Sequence, residues 1–282
     1  MEKVILFGAG GAGKHFILNQ QEFTIIAVAD NDEKKFNTLL EGIKIINPKE
    51  ISKYDYDKVI VTSMYFNPIQ KQLVNECMVK PNQIQAANKN LLKETMYPFE
   101  HNNTLNYANK SLLKLVDFLE KEQLSYFLDF GTLLGVVRDK ELIRWDDDID
   151  VTCYLEDKEK VVIALEKFIA LYSDDTKTWQ YKLTKHLNGN DSSFVLTFSD
   201  ELNHILPFSI DIWLLYFEED TAVQTMNKCA MNHFSKAESV NYKGKNIHVP
   251  YDFKAYLHHT YGDWKTPKKD TTFADYPFAF EF

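Results

Sequence analysis

Near the middle of the chain, Asp148-Ile149-Asp150-Val151 alternates a carboxylate with an aliphatic side chain, and that period of two dictates a strand with unlike faces. Asp148 and Asp150 then project together, while Ile149 and Val151 turn into the core behind them. Two hard oxygen ligands are thereby set side by side. Mg2+, which prefers oxygen and keeps waters for phosphate groups, is the expected ion, with Mn2+ as the alternative. Upstream, residues 126–130 read as a strand, after which Gly131 and Thr132 open a helix. Small residues at such a start bring backbone amides close to an anion. A magnesium site facing a helix start points to phosphate-transfer chemistry.

At 282 residues and 45% hydrophobic, the chain is long enough for two cores, so two domains are expected. A formal charge of −9 argues against a duplex-binding surface and hence against a nucleic-acid partner. Cys77, Cys153 and Cys229 lie far apart with no CxxC pair, which reads as reduced, packed thiols. No signal-peptide pattern and no run of roughly 20 apolar residues is present. The expected location is the cytoplasm, peripheral to the inner face of the membrane where the acceptor is lipid-linked. The histidines show no compact ligand spacing, and no zinc is expected.

Residues 3–8, 24–30, 43–46 and 56–63 are apolar strand patterns, with a last strand read over 81–86. Helices are read after Gly13, over 33–41, from Pro48 and from Pro68, so strand and helix alternate as in a parallel sheet covered on both faces. Gly8, Gly10 and Gly13 satisfy GxGxxG, and Asp30 ends the second strand where a ribose-binding acid would stand. The same stretch fits GxxxxGK, but His15 replaces the hydroxyl residue that holds magnesium in a P-loop. Residues 1–90 resemble the small Rossmann-like domains that precede sugar-modifying modules in bacterial surface-polysaccharide enzymes. That resemblance implies a nucleotide or nucleotide-sugar ligand, against a purely structural or regulatory role.

Residues 91–103 are polar and carry Pro98, which reads as a linker, and residues 104–282 form the second domain. A helical stripe runs over 105–123, and another helix over 158–171 should cover the sheet. Asn188-Gly189-Asn190 suggests a hairpin between strands near 179–183 and 194–198. GTLLGVVR from Gly131 to Arg138 and WDDDID from Trp145 to Asp150 closely resemble the LicD family, which includes the fukutin-related proteins, within the nucleotidyltransferase-fold superfamily. The distal Val249-Pro250, Tyr256-Leu257 and Tyr261-Gly262-Asp263-Trp264 fit the same family, whereas Arg144 departs from its usual proline. The implied fold is α/β: a short Rossmann-like parallel-sheet domain followed by a nucleotidyltransferase-fold α+β domain.

The resemblance further implies a third carboxylate on a neighbouring strand, supplied by Asp211 in FSIDIWL, so that Asp148, Asp150 and Asp211 form the metal set. The alternative is a buried Asp211 satisfied by amides. Arg138 is assigned to a phosphate, against a salt bridge with Asp139 or Glu141. Gly131, Thr132, Trp145, Asp146 and Asp147 are the candidate substrate contacts. Asp146 shares the metal face if the strand starts early, and Asp147 then makes turn hydrogen bonds, since three adjacent carboxylates cannot point one way along extended chain. Trp145 either covers the donor or fills the core. Lys265, Lys268 and Lys269 either attract a charged donor or form a solvated tail. The implied donor is a CDP-activated alcohol of the choline, ribitol or glycerol type. Its phospho-alcohol unit goes to a hydroxyl of a glycan or lipid-linked glycan, with CMP released, in lipopolysaccharide, capsule or teichoic acid synthesis. Transfer of a nucleotide from an NTP with pyrophosphate release, and a non-catalytic nucleotide-binding scaffold, are the competing expectations. A homo-oligomer is the general expectation for soluble oligomers.

Overall fold

The computed structural model describes residues 1–93, 97–186, 189–225 and 227–275, which divide into two compact units. The first comprises residues 1–93 together with 268–275. It contains β1 (Glu2–Phe7), α1 (Gly11–Asn19), β2 (Phe23–Ala29), β3 (Leu39–Leu40), β4 (Ile43–Ile46), β5 (Lys58–Val61), α2 (Phe66–Asn75) and β6 (Ile84–Ala86). Strand order is β3-β4-β2-β1-β5-β6, all parallel except the β3–β4 hairpin. The run Val4-Ile5-Leu6-Phe7 explains the layering. Val4 and Leu6 enter one buried cluster, and Ile5 and Phe7 enter the other. A sheet covered on both faces requires such an unbroken apolar strand.

The helix expected over 33–41 does not form. Asp32 accepts from the Lys34 amide and caps a single 3-10 turn, Glu33–Lys35. Asn37 then takes φ 62°, and Glu41 and Gly42 take φ 48° and 81° in the turn joining β3 to β4. Two consecutive positive φ values with glycine second are what a tight hairpin asks for.

The second unit, residues 97–267, begins earlier and ends earlier than expected from 104–282. Pro98–Glu100 is already a 3-10 turn with Phe99 in the core, and residues 268–275 belong to the first unit instead. Thr272 bridges to Asn88, the Lys89 amide donates to the Thr271 carbonyl at 2.9 Å, and Asn90 donates to the Lys269 carbonyl at 3.0 Å. A short backbone bridge and a side-chain amide contact of this kind carry no periodic sequence signature. The Asn188 position of the expected hairpin lies outside the described residues, but its flanking strands do pair.

The second unit continues through α3 (Asn102–Lys121), β7 (Tyr126–Leu128), α4 (Phe130–Arg138), β8 (Asp148–Tyr154), α5 (Lys158–Tyr172), β9 (Lys177–Lys185) and β10 (Asp191–Asp200). It closes with β11 (Ser209–Glu218), β12 (Thr221–Gln224), β13 (Asn227–Ala230), α6 (Asn232–Ser235), β14 (Ala237–Tyr242), β15 (Lys245–Pro250) and α7 (Phe253–Tyr261). Strands β13-β12-β11-β10-β9 run in order, and β8 joins β11 in parallel and β7 in antiparallel. The chain is therefore mixed α/β. Ile149, Val151, Ile210 and Ile212 are fully buried in the core on the face opposite the carboxylates. Among the described residues, no helix is long and apolar enough to cross a membrane.

Candidate active site

Parallel pairing sets Asp211 of β11 directly opposite Asp150 of β8, and Ser209 opposite Asp148. The Asp148–Asp150 alternation thus gains a neighbour on the same face. Trp213, two residues beyond Asp211, donates from its indole nitrogen to Asp150 Oδ1 at 3.0 Å. The Gly131 amide donates to Asp150 Oδ2 at 3.2 Å, and the Asp150 amide donates to Thr132 Oγ1 at 2.8 Å. Gly131 and Thr132 are thereby brought to the carboxylates by the first turn of α4. Space is tight there: a Cβ at 131 would stand 2.4 Å from Asp146 Oδ2 and would displace that carboxylate.

Burial, followed by the charge of Asp211, raises the Asp150 carboxyl well above its usual range, and the Trp213 bond works against that rise. Burial likewise pushes Asp211 up to about 7, with a Ser209 hydrogen bond opposing and the Asp147 charge adding. Asp211 Oδ1 is buried and has no hydrogen-bond partner. Leaving an acceptor of this kind dry and unpaired is costly, and a cation is one remedy.

One oxygen from each of Asp146, Asp147 and Asp148 lies within 4.8 Å of the others, and this is the tight acidic trio among the described residues. The expected trio Asp148, Asp150 and Asp211 shares a face but is not drawn that close together. Asp147, expected to turn aside, joins because residues 146 and 147 precede the strand, and the Asp146 amide closes a turn onto the Ile143 carbonyl at 3.0 Å. The extended-chain argument does not hold in a turn. All these donors are carboxylate oxygens, and the orphaned oxygen stands on the same face. The set suits a hard divalent ion such as Mg2+ or Mn2+.

Arg138 makes the Asp139 salt bridge that stood as the alternative to a phosphate contact. Its guanidinium makes two parallel bonds to Asp139, at 2.8 and 2.7 Å, and stacks 5.8 Å from the Trp145 ring. Trp145 is half-buried against the core.

Beneath the acidic face lies a carboxylate that sequence reasoning missed. Asp129, fully buried, caps α4 by accepting from the Phe130 amide at 2.8 Å. It also accepts from Tyr256 at 2.6 Å, Thr152 at 2.6 Å and Gln224 at 2.9 Å. Burial raises its pKa, and these four donors oppose the rise. Its own amide donates to the Asp150 carbonyl at 3.2 Å. The signal was an Asp between strand and Gly-Thr, a favoured N-cap position. Trp213 was readable from the Asp211-x-Trp213 spacing.

In the first unit, Gly8 takes φ 121°, and a Cβ at Gly13 would stand 2.0 Å from the Gly8 carbonyl oxygen, so strand and helix meet closely there. Gly10 caps α1, and a Cβ on it would meet open space. Asp30 serves the turn itself: it accepts from the Ala9 amide at 2.6 Å and the Asp32 amide at 2.8 Å, and pairs with Lys35 at 3.2 Å.

The profile described as LicD/FKTN/FKRP, nucleotidyltransferase domain, matches residues 123–252, a span holding α4, the acidic turn, β8 and β11. Just under half of the chain is thus similar to the LicD nucleotidyltransferase domain. Residues 1–85 match the profile described as C2185-like, N-terminal. A curated relative is the lipopolysaccharide cholinephosphotransferase LicD of Haemophilus influenzae, 36% identical over 63 residues, or 21% of this chain. That match spans only 24% of the relative's length. Among solved structures, the lincosamide adenylyltransferase LnuA with bound lincomycin is 21% identical over 53% of this chain and 84% of its own, at a TM-score of 0.35. UDP-D-quinovosamine 4-dehydrogenase from Vibrio fischeri is 30% identical over 30% of this chain and 75% of its own, at 0.24. Superpositions this loose bear on neither fold nor activity, and the likeness to LicD rests on the profile and the curated relative.

Proposed function

We propose that the protein transfers a phospho-alcohol unit from a CDP-activated alcohol of the choline, ribitol or glycerol type. The acceptor is a hydroxyl of a surface glycan or its precursor, and CMP is released. The observation that carries this reading is the register of Asp150 opposite Asp211 beside the Asp146–Asp148 trio, under the first turn of α4. The cholinephosphotransferase relative supports phosphocholine as one member of the donor class.

Asp146, Asp147, Asp148 and Asp211 would hold Mg2+ or Mn2+, with Asp150 beside them. When bound, such an ion supplies positive charge against the donor's phosphate oxygens. Trp213 and the Gly131 amide fix both oxygens of Asp150, so that carboxylate is presented in one orientation. Thr132 locks β8 to α4 through the Asp150 amide. In the reaction the acceptor oxygen attacks the phosphorus bearing the alcohol, and the bond to the CMP phosphate breaks. The hydroxyl proton passes to a carboxylate of the acidic face. A nucleotide or nucleotide sugar at the first unit would have to meet the Gly8–Gly13 turn through backbone amides, because Asp30 is engaged in the turn.

The test incubates purified protein with Mg2+, CDP-choline, CDP-ribitol or CDP-glycerol, and bacterial glycan acceptors. CMP release dependent on acceptor and Mg2+ is expected. Pyrophosphate release from an NTP, with no CMP from any CDP-alcohol, would replace this reading with nucleotide transfer.

A further inference from the structure

Carboxylates gathered for a cation also repel an anionic donor. Asp146, Asp147, Asp148, Asp150 and Asp211 share one face or its rim, so even with a divalent ion bound the region remains negative toward a diphosphate. Something else on that face has to offset the repulsion. Arg138 is held by Asp139. On the outer strands, Lys185 pairs with Asp191 and Lys177 with Asp200, and Lys158 at the start of α5 also pairs with Asp191.

Lys182 stands apart from these. It is exposed, and among the described residues it makes no ion pair. Its position follows from register alone. Lys182 of β9 lies opposite Val195 of β10, Val195 opposite Asp211 of β11, and Asp211 opposite Asp150 of β8. Residues in register project from the same face of a sheet, so these four side chains form one row across four adjacent strands. Val195 between them is half-buried, and the next row holds half-buried Thr197 opposite exposed Gln180. Strands lie about 4.8 Å apart, which puts the Lys182 backbone roughly 10 Å from that of Asp211. That gap fits a phosphate laid over Val195 and met from one side by a flexible ammonium arm.

We propose that Lys182 contacts the diphosphate of the donor, which lies across Val195 between the acidic pair and the outer strand β9. This rests on the phospho-alcohol transfer reading for the identity of the donor, and on strand register for the contact.

The experiment titrates the full-length protein calorimetrically in Mg2+ buffer with three probes: CDP, inorganic pyrophosphate and cytidine. Lys182→Gln should weaken CDP and pyrophosphate tenfold or more and leave cytidine unchanged, and Lys182→Arg should recover most of the loss. Mn2+ uptake by the nucleotide-free protein and the thermal midpoint should match wild type in both variants, which separates a phosphate contact from a structural role. Wild-type affinity of Lys182→Gln for CDP and pyrophosphate overturns the proposal. Wild-type protein that binds pyrophosphate but not CDP would remove the cytidine donor, while the Lys182 contact would still be decided by the pyrophosphate arm. Binding of neither probe to wild type would overturn both.

Discussion

Asp211 illustrates how one atom links stability to ion binding. Its folded-state pKa, near 7, stands above the unfolded value, so its protonated form favours the fold. That contribution is complete below the unfolded pKa of about 3.9 and is lost as pH rises through about 7. Without divalent ions the thermal midpoint should therefore decline between pH 5 and pH 8. Mg2+ should raise it by several degrees at pH 8 and very little at pH 5, because bound ion favours the ionised form of Asp211. Scanning fluorimetry checks this, and a Mg2+ effect independent of pH would count against Asp211 as a ligand. Asp211→Asn should flatten both trends. Trp213→Phe removes the donor to Asp150 Oδ1 and should cost about 10–100-fold in metal affinity or activity. Alternation made the shared face of Asp148 and Asp150 legible, since a period of two survives in sequence, whereas Asp211 was pointed to by the family resemblance. The place of Asp147 was not legible, and the engagement of Arg138 was legible only as one of two alternatives. The first depends on a turn closed by a backbone bond to Ile143, and the second on a neighbouring carboxylate competing for the same guanidinium.

Helix α4 carries two glycines with different duties. A methyl at Gly131 meets the Asp146 carboxylate, the end of a movable side chain, whereas one at Gly135 meets the Glu141 carbonyl at 2.6 Å and the Ile143 amide at 2.9 Å. Gly131→Ala should fold normally and bind Mn2+ more weakly, as read by calorimetry. Gly135→Ala should lose about 1–3 kcal/mol of stability in denaturant titration, because rigid backbone has to move. Equal effects of the two substitutions on stability would contradict this division. Tyr256→Phe, on α7, takes one of four donors from buried Asp129 and should cost about 1–3 kcal/mol, with α4 and β8 loosened together. Helix α3 was readable from its apolar stripe, and a helix was also expected where α5 forms. The failed helix over 33–41 shows the opposite case, where an Asp32 cap and a Glu41-Gly42 turn overrode local propensity.

Across the whole molecule, two cores were expected from length, but which segments complete each of them was not legible. Residues 268–275 complete the first unit through Asn88, Lys89 and Asn90, and Lys89 stands 5.5 Å over the Phe273 ring. Ending the chain after Pro267 should lower the unfolding midpoint of the first unit and leave that of the second unchanged, as resolved by calorimetry or limited proteolysis. A single uniform shift would argue against this assignment. The arrangement also bears on biogenesis. On a ribosome the glycine-turn sheet emerges first, yet its last piece arrives only after every residue of the other unit has been made, roughly 10–30 s later at usual elongation rates. During that interval the nascent sheet lacks its closing segment, and its early survival depends on the strands it already has.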